Sequence, residues 1–112
     1  MCPLELEAYH PTERKWIKFG EPVGPGGGGS ISDNKSEGRN VYLFFCNDDD
    51  SGSTIVRSKG GADSDLAGGR LRYLVNLSGY EVVKELKKGE SFEMTLKPDT
   101  LRIPLKFRFS HK

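Results

Sequence analysis

A chain of 112 residues, 35% hydrophobic and 29% charged, has the size and mixture of one globular domain able to bury a core without staples or metals. Its formal net charge of +1 gives no ground by itself for a nucleic-acid or membrane partner. No apolar run approaches the roughly 20 residues that span a bilayer.

The opening stretch, MCPLELEAYH, carries neither the basic n-region nor the apolar h-region of a secretory signal. The two cysteines are fewer than small disulfide-stapled secreted domains use. Cys46 sits inside the apolar run VYLFFC and reads as a small buried hydrophobe, so both it and Cys2 are expected to be free thiols. Together these features predict an intracellular protein, cytoplasmic or nuclear.

In chain order, Leu4, Leu6 and Ala8 alternate with Glu5, Glu7 and Tyr9, the period of a half-buried strand. Pro11, Thr12 and Glu13 supply a turn, and Trp16–Phe19 reads as the returning strand with Ile17 and Phe19 on one face. Residues 1–19 are therefore an N-terminal hairpin. An isolated hairpin is marginal in water, so this one must pack on the main domain.

Residues 20–40 hold seven of the fourteen glycines and no apolar periodicity, and they read as a flexible linker or loop. Within them Gly26–Ser30 spells GGGGS, which is either a natural glycine-rich loop or an engineered spacer. In the second case it tethers the N-terminal element to the domain with which it pairs.

The main β-domain is expected over residues 41–112. Val41–Cys46 is apolar at every position, as befits a central strand covered on both faces. Asn47–Ser53 forms an acidic turn, Thr54–Arg57 a short strand, and Ser58–Arg70 another glycine-rich connection. Leu71–Leu77 alternates as a strand. Tyr80–Leu86 fits a helix or a strand; its β-branched pair and the Lys-Lys-Gly turn after it favour the strand. Phe92, Met94 and Leu96 share one face. Leu101–Phe109 alternates through five apolar residues, and Pro104 predicts that this strand lies at an edge or bulges. The fold class is all-β: a single antiparallel sandwich or flattened barrel of six to eight short strands.

Three features are candidate sites. Asp48, Asp49 and Asp50, with Asp63 and Asp65 further on, cluster oxygens of the kind Ca²⁺ takes, but the spacing departs from an EF-hand, and solvated surface is the simpler account. From Lys84 to Lys112 eight Lys/Arg stand against four acids, a net of +4, while residues 1–58 carry a net of −3. Arg102, Lys106 and Arg108 should project from one face of the last strand, toward phosphates or an acidic partner, or simply to keep sheet edges apart. Tyr9 and Trp16 share the charged face of the hairpin, where such rings contact proteins or sugars. The sequon at Asn76 matters only in a secreted protein.

Catalysis has no visible apparatus. The histidines, His10 and His111, lie near the ends, and there is no nucleophile elbow, metalloprotease motif, paired-cysteine zinc motif or phosphate loop. The sequence points to a non-catalytic interaction module without a cofactor, binding another macromolecule through a sheet edge or loops. Its partner is a protein or a second copy rather than a membrane. Alternatives are a self-assembling structural protein, an anion or nucleic-acid binder using the basic last strand, and a small carbohydrate binder.

Overall fold

In the computed structural model, which describes residues 3–24, 27–35, 38–47, 49, 51–58, 80–98, 101 and 103–112, the alternating segments are strands. Among the described residues they number eight: β1 (Leu4–His10), β2 (Lys15–Lys18), β3 (Gly28–Lys35), β4 (Gly38–Cys46), β5 (Gly52–Ser58), β6 (Tyr80–Lys87), β7 (Ser91–Leu96) and β8 (Leu105–His111). They build two four-stranded antiparallel sheets, one in the order β2-β1-β8-β7 and the other β3-β4-β5-β6. The molecule measures 39 × 31 × 18 Å, and its short dimension suits two sheets stacked about 10 Å apart. This is the expected sandwich.

Alternation decides what fills it. Leu4 and Leu6 of β1, Leu96 of β7 and Leu105, Phe107 and Phe109 of β8 point inward from the first sheet. They meet Ile31, Tyr42, Phe44, Cys46, Ile55 and Leu86 from the second. Phe44 and Phe109 make the cross-sheet contact edge to face, with centroids 5.3 Å apart. The uniformly apolar run of β4 is buried at every position from Val41 to Cys46. Its other face, Val41, Leu43 and Phe45, joins Val56 and Tyr80 in a second buried cluster. Tyr80–Lys87 is a strand, as its β-branched pair suggested.

Three expectations need correction. First, residues inside the stretch read as a linker form β3, which pairs with β4 from Gly28↔Phe45 to Lys35↔Gly38. A ladder needs backbone groups and no side chains, so apolar periodicity gave no warning. One glycine of the GGGGS run is required sterically: a Cβ on Gly29 would come within 2.8 Å of the Phe44 ring.

Second, the last strand begins after Pro104 and is central, flanked by β1 and β7. Proline ends the ladder here instead of interrupting it. Third, Cys46 is disulfide-bonded, and the sequence's other cysteine, Cys2, lies outside the described residues. Burial was read correctly, since Cys46 is 1% exposed, but burial does not distinguish a bridged sulfur from a free one. The sulfur lies 3.4 Å from the Val23 carbonyl oxygen, a packing contact because a bridged sulfur has no proton to donate. The bridge removes the free-thiol argument for an intracellular location.

The hairpin that begins the chain is part of the first sheet, and β1 lies between β2 and β8. Its turn closes with the Arg14 N–H donating to the His10 carbonyl at 2.8 Å. Arg14 takes the left-handed conformation (φ 55°) that the turn demands. The Glu13 N–H also donates to His10 Nδ1 at 3.0 Å. Leu71–Leu77, Asn76, Asp63 and Asp65 fall outside the described residues.

Candidate functional site

Strand β2 ends the first sheet, and its register fixes what that edge presents. The Phe19 N–H donates to the Leu6 carbonyl at 2.8 Å, and Ala8 lies opposite Ile17, Glu7 opposite Lys18 and Tyr9 opposite Trp16. In an antiparallel ladder, hydrogen-bonded pairs alternate with non-bonded ones. Phe19, Ile17 and Lys15 therefore turn their backbone groups toward β1. Trp16 and Lys18 turn theirs outward, and among the described residues no strand takes them up.

Side chains alternate with the same period. Ile17 and Phe19 lie on the inner side of the sheet, beyond the part that the second sheet covers. They are 39% and 40% exposed. Phe19 leans edge-on against buried Phe107, with centroids 5.3 Å apart. Leu101 and Ile103, 48% and 51% exposed, come alongside from the segment that precedes β8. With Ala8 and Leu105 these residues wall a groove of about 350 Å³, rimmed by His10 and Lys18. A second hollow of about 240 Å³ lies on the other side of Phe19, against Val23, Gly28, Gly29 and Phe44.

The outer side is polar and internally paired. Tyr9 and Trp16 meet edge to face at 5.4 Å, as their shared face predicts. The Arg108 guanidinium lies 4.2 Å from the Trp16 ring centre and donates to Glu7 Oε1 from Nε at 3.3 Å and Nη2 at 3.0 Å. Lys112 faces Glu5 at 3.7 Å. Across the sheet the register sets Lys18, Glu7, Arg108 and Glu93 side by side, a row of alternating charge.

This arrangement brings together Tyr9, Trp16 and Arg108, which the sequence assigned to separate candidate sites. Lys106 is exposed on the same strand as Arg108, and Arg102 lies outside the described residues. Among the described residues of this face, Arg108 is engaged by Glu7 and covers part of Trp16, while Lys106 stays exposed.

Of the acidic turn, Asp49 is described and Asp48 and Asp50 are not. The Ser51 hydroxyl and then the Ser51 backbone N–H hold the Asp49 carboxyl below its ordinary pKa; the backbone bond measures 3.0 Å. Asn47 joins Ser51 and Thr54 in the same turn. That carboxylate is engaged in shaping the turn.

Alternation puts Ile17, Phe19, Leu101 and Ile103 on apolar faces, but it says which residues share a face, not whether the face is covered. A signal was present in Pro98 and Pro104, which bracket Leu101 and Ile103 and bar them from a regular ladder. No protein family, curated protein or solved structure matches the chain.

Proposed function

We propose that this protein is a non-catalytic interaction module that takes an extended segment of a partner protein onto the free edge of β2. The observation that carries the reading is the adjacency of two things strand addition needs. Outward backbone groups at Trp16 and Lys18 supply hydrogen bonds, and a groove beside Ile17 and Phe19 receives every second side chain of the incoming strand. Trp16 adds a large ring at the edge, a residue type that anchors interfaces.

Other features agree with binding rather than chemistry. The Cys46 sulfur is bridged and cannot act as a thiolate. His10 Nδ1 accepts the Glu13 N–H and serves the turn. On the described outer face Arg108 is already paired with Glu7, which favours the edge and its groove as the recognition element.

The register gives a sharp test. Peptides selected from a displayed library on the immobilised protein should shift the amide resonances of Trp16 and Lys18. Lys18→Pro removes an outward N–H and leaves the β1–β2 ladder intact, so it should abolish binding in a folded protein, while Lys18→Ala retains it. Selected peptides that bind Lys18→Pro as well as the parent would refute strand addition at this edge.

A further inference from the structure

The β2 edge also specifies the chemistry of its ligand. Resting on the strand-addition reading above, we infer that the segment it accepts alternates acidic and apolar residues, with the acids on the side of Lys18 and the apolar residues on the side of Ile17. This is an inference from charge and register together.

The charge is local. Between Glu13 and Lys18 the turn and strand carry Arg14, Lys15 and Lys18 against the single acid Glu13. Lys15 pairs with Glu13 at 3.5 Å. The acid directly opposite Lys18 across the ladder is Glu7, whose Oε1 already receives Arg108. Lys18 thus stands exposed at the edge beside a carboxylate engaged elsewhere.

A strand added beyond β2 continues the sheet, so its side chains fall on the same two sides. Residues lying beside Lys18 and Trp16 project on the outer side, where a carboxylate completes the row of alternating charge that runs Lys18, Glu7, Arg108, Glu93. Residues lying beside Ile17 and Phe19 project inward, where the groove is walled by Ala8, Leu101, Ile103 and Leu105. One strand can satisfy both only if it alternates.

The same charges select against a second copy of this protein. Two β2 edges brought together would bring the cationic segment Arg14, Lys15 and Lys18 of one copy beside that of the other, like-charge repulsion of the kind by which lysines keep sheet edges apart. An acidic strand converts that repulsion into attraction. The device that blocks self-pairing is the one that admits this ligand.

The test uses the intact protein and three synthetic eight-residue peptides. One alternates valine with glutamate, one alternates valine with lysine, and one scrambles the first. Trp16, the single tryptophan, reports binding by fluorescence at the edge itself, and amide shifts at Trp16 and Lys18 report strand addition. The acidic alternating peptide should bind about tenfold more tightly than the basic one at low salt, with the gap shrinking at high salt. Lys18→Glu should reverse the order, and the scrambled peptide should bind weakest.

Each result decides something. If acidic and basic peptides bind equally well and both shift the Trp16 and Lys18 amides, the acidic preference is wrong and strand addition stands. If the scrambled peptide equals its parent, alternation is wrong. If no peptide shifts those amides, or the shifts fall elsewhere, strand addition at β2 fails and this inference falls with it.

Discussion

Strands β4 and β2 are opposites built from similar materials. β4 runs nine residues, is apolar at every position from Val41 to Cys46, and is buried on both faces between β3 and β5. β2 runs four residues, alternates Lys15, Trp16, Ile17 and Lys18, and has one neighbour among the described strands. From Tyr42 to Phe45 the first strand is buried on both faces and paired on both sides. The other has half of each left over. The buried side chains gather around β4, β5 and β8, whereas the recognition proposed above belongs to β2. Perturbations of the two regions should separate cleanly.

The largest effect is expected where the closed region has no slack at all. Gly52 opens β5 and pairs with Lys87 of β6, and a Cβ placed on it would overlap the Leu86 carbonyl oxygen. That atom belongs to backbone held in the same sheet and cannot move aside as a side chain would. Gly52→Ala should cost about 4 kcal/mol or more, a large share of the about 5–15 kcal/mol that holds a domain of this size folded. Chemical denaturation followed by circular dichroism measures it. A loss under about 1 kcal/mol would mean that β5 and β6 are not paired in this register.

The comparison sharpens when like residues are truncated in the two regions. Phe107 is fully buried in the core and flanked across the sheet by Ala8 and Met94, so Phe107→Ala should cost about 3–5 kcal/mol through lost burial and the cavity left behind. Ile17→Ala removes an apolar side chain that is already 39% exposed and should cost under about 1 kcal/mol. On peptide binding the order inverts: Ile17→Ala weakens it, while a folded Phe107 variant with a smaller loss of volume, such as Phe107→Leu, leaves it intact. If Ile17→Ala were as costly as Phe107→Ala, the groove would be core and not a site.

How far the sequence carried this picture follows the same division. The closed region was legible. Leu4 and Leu6, Phe92 to Leu96 and Leu105 to Phe109 alternate because one side of each strand meets a core, and period-two alternation records that fact. The run Val41–Cys46 recorded burial on both sides just as directly.

Strand β3 was not legible. Its glycine-rich stretch contributes hydrogen bonds and close approach, as at Gly29 against Phe44, and neither leaves a hydropathy pattern. The site was legible only in pieces. Tyr9 and Trp16 could be placed on one face from the hairpin alone, but their junction with Arg108 depends on β1 and β8, which are separated by most of the chain, being neighbours. Ile17 and Phe19 carry the same alternation as true core residues, because alternation precedes the question of what covers the face.

The outer face of the first sheet supplies the smallest test and the one that separates face from edge. Glu7 and Arg108, with side chains 18% and 31% exposed, are held by two hydrogen bonds to one carboxylate oxygen and by the Trp16 ring beneath the guanidinium. A double-mutant cycle with Glu7→Gln and Arg108→Gln should return a coupling of about 1 kcal/mol, at the upper end for a pair with partial solvent access. Arg108→Gln should also change the Trp16 emission, since the cation leaves the ring. A coupling near zero with unchanged emission would mean that Arg108 is unengaged in solution. It would then be available to anionic ligands, and the face would compete with the edge as the recognition surface. A coupling of the expected size would show that Glu7 and the Trp16 ring hold Arg108 in solution, which removes it as a free cation for an anionic ligand.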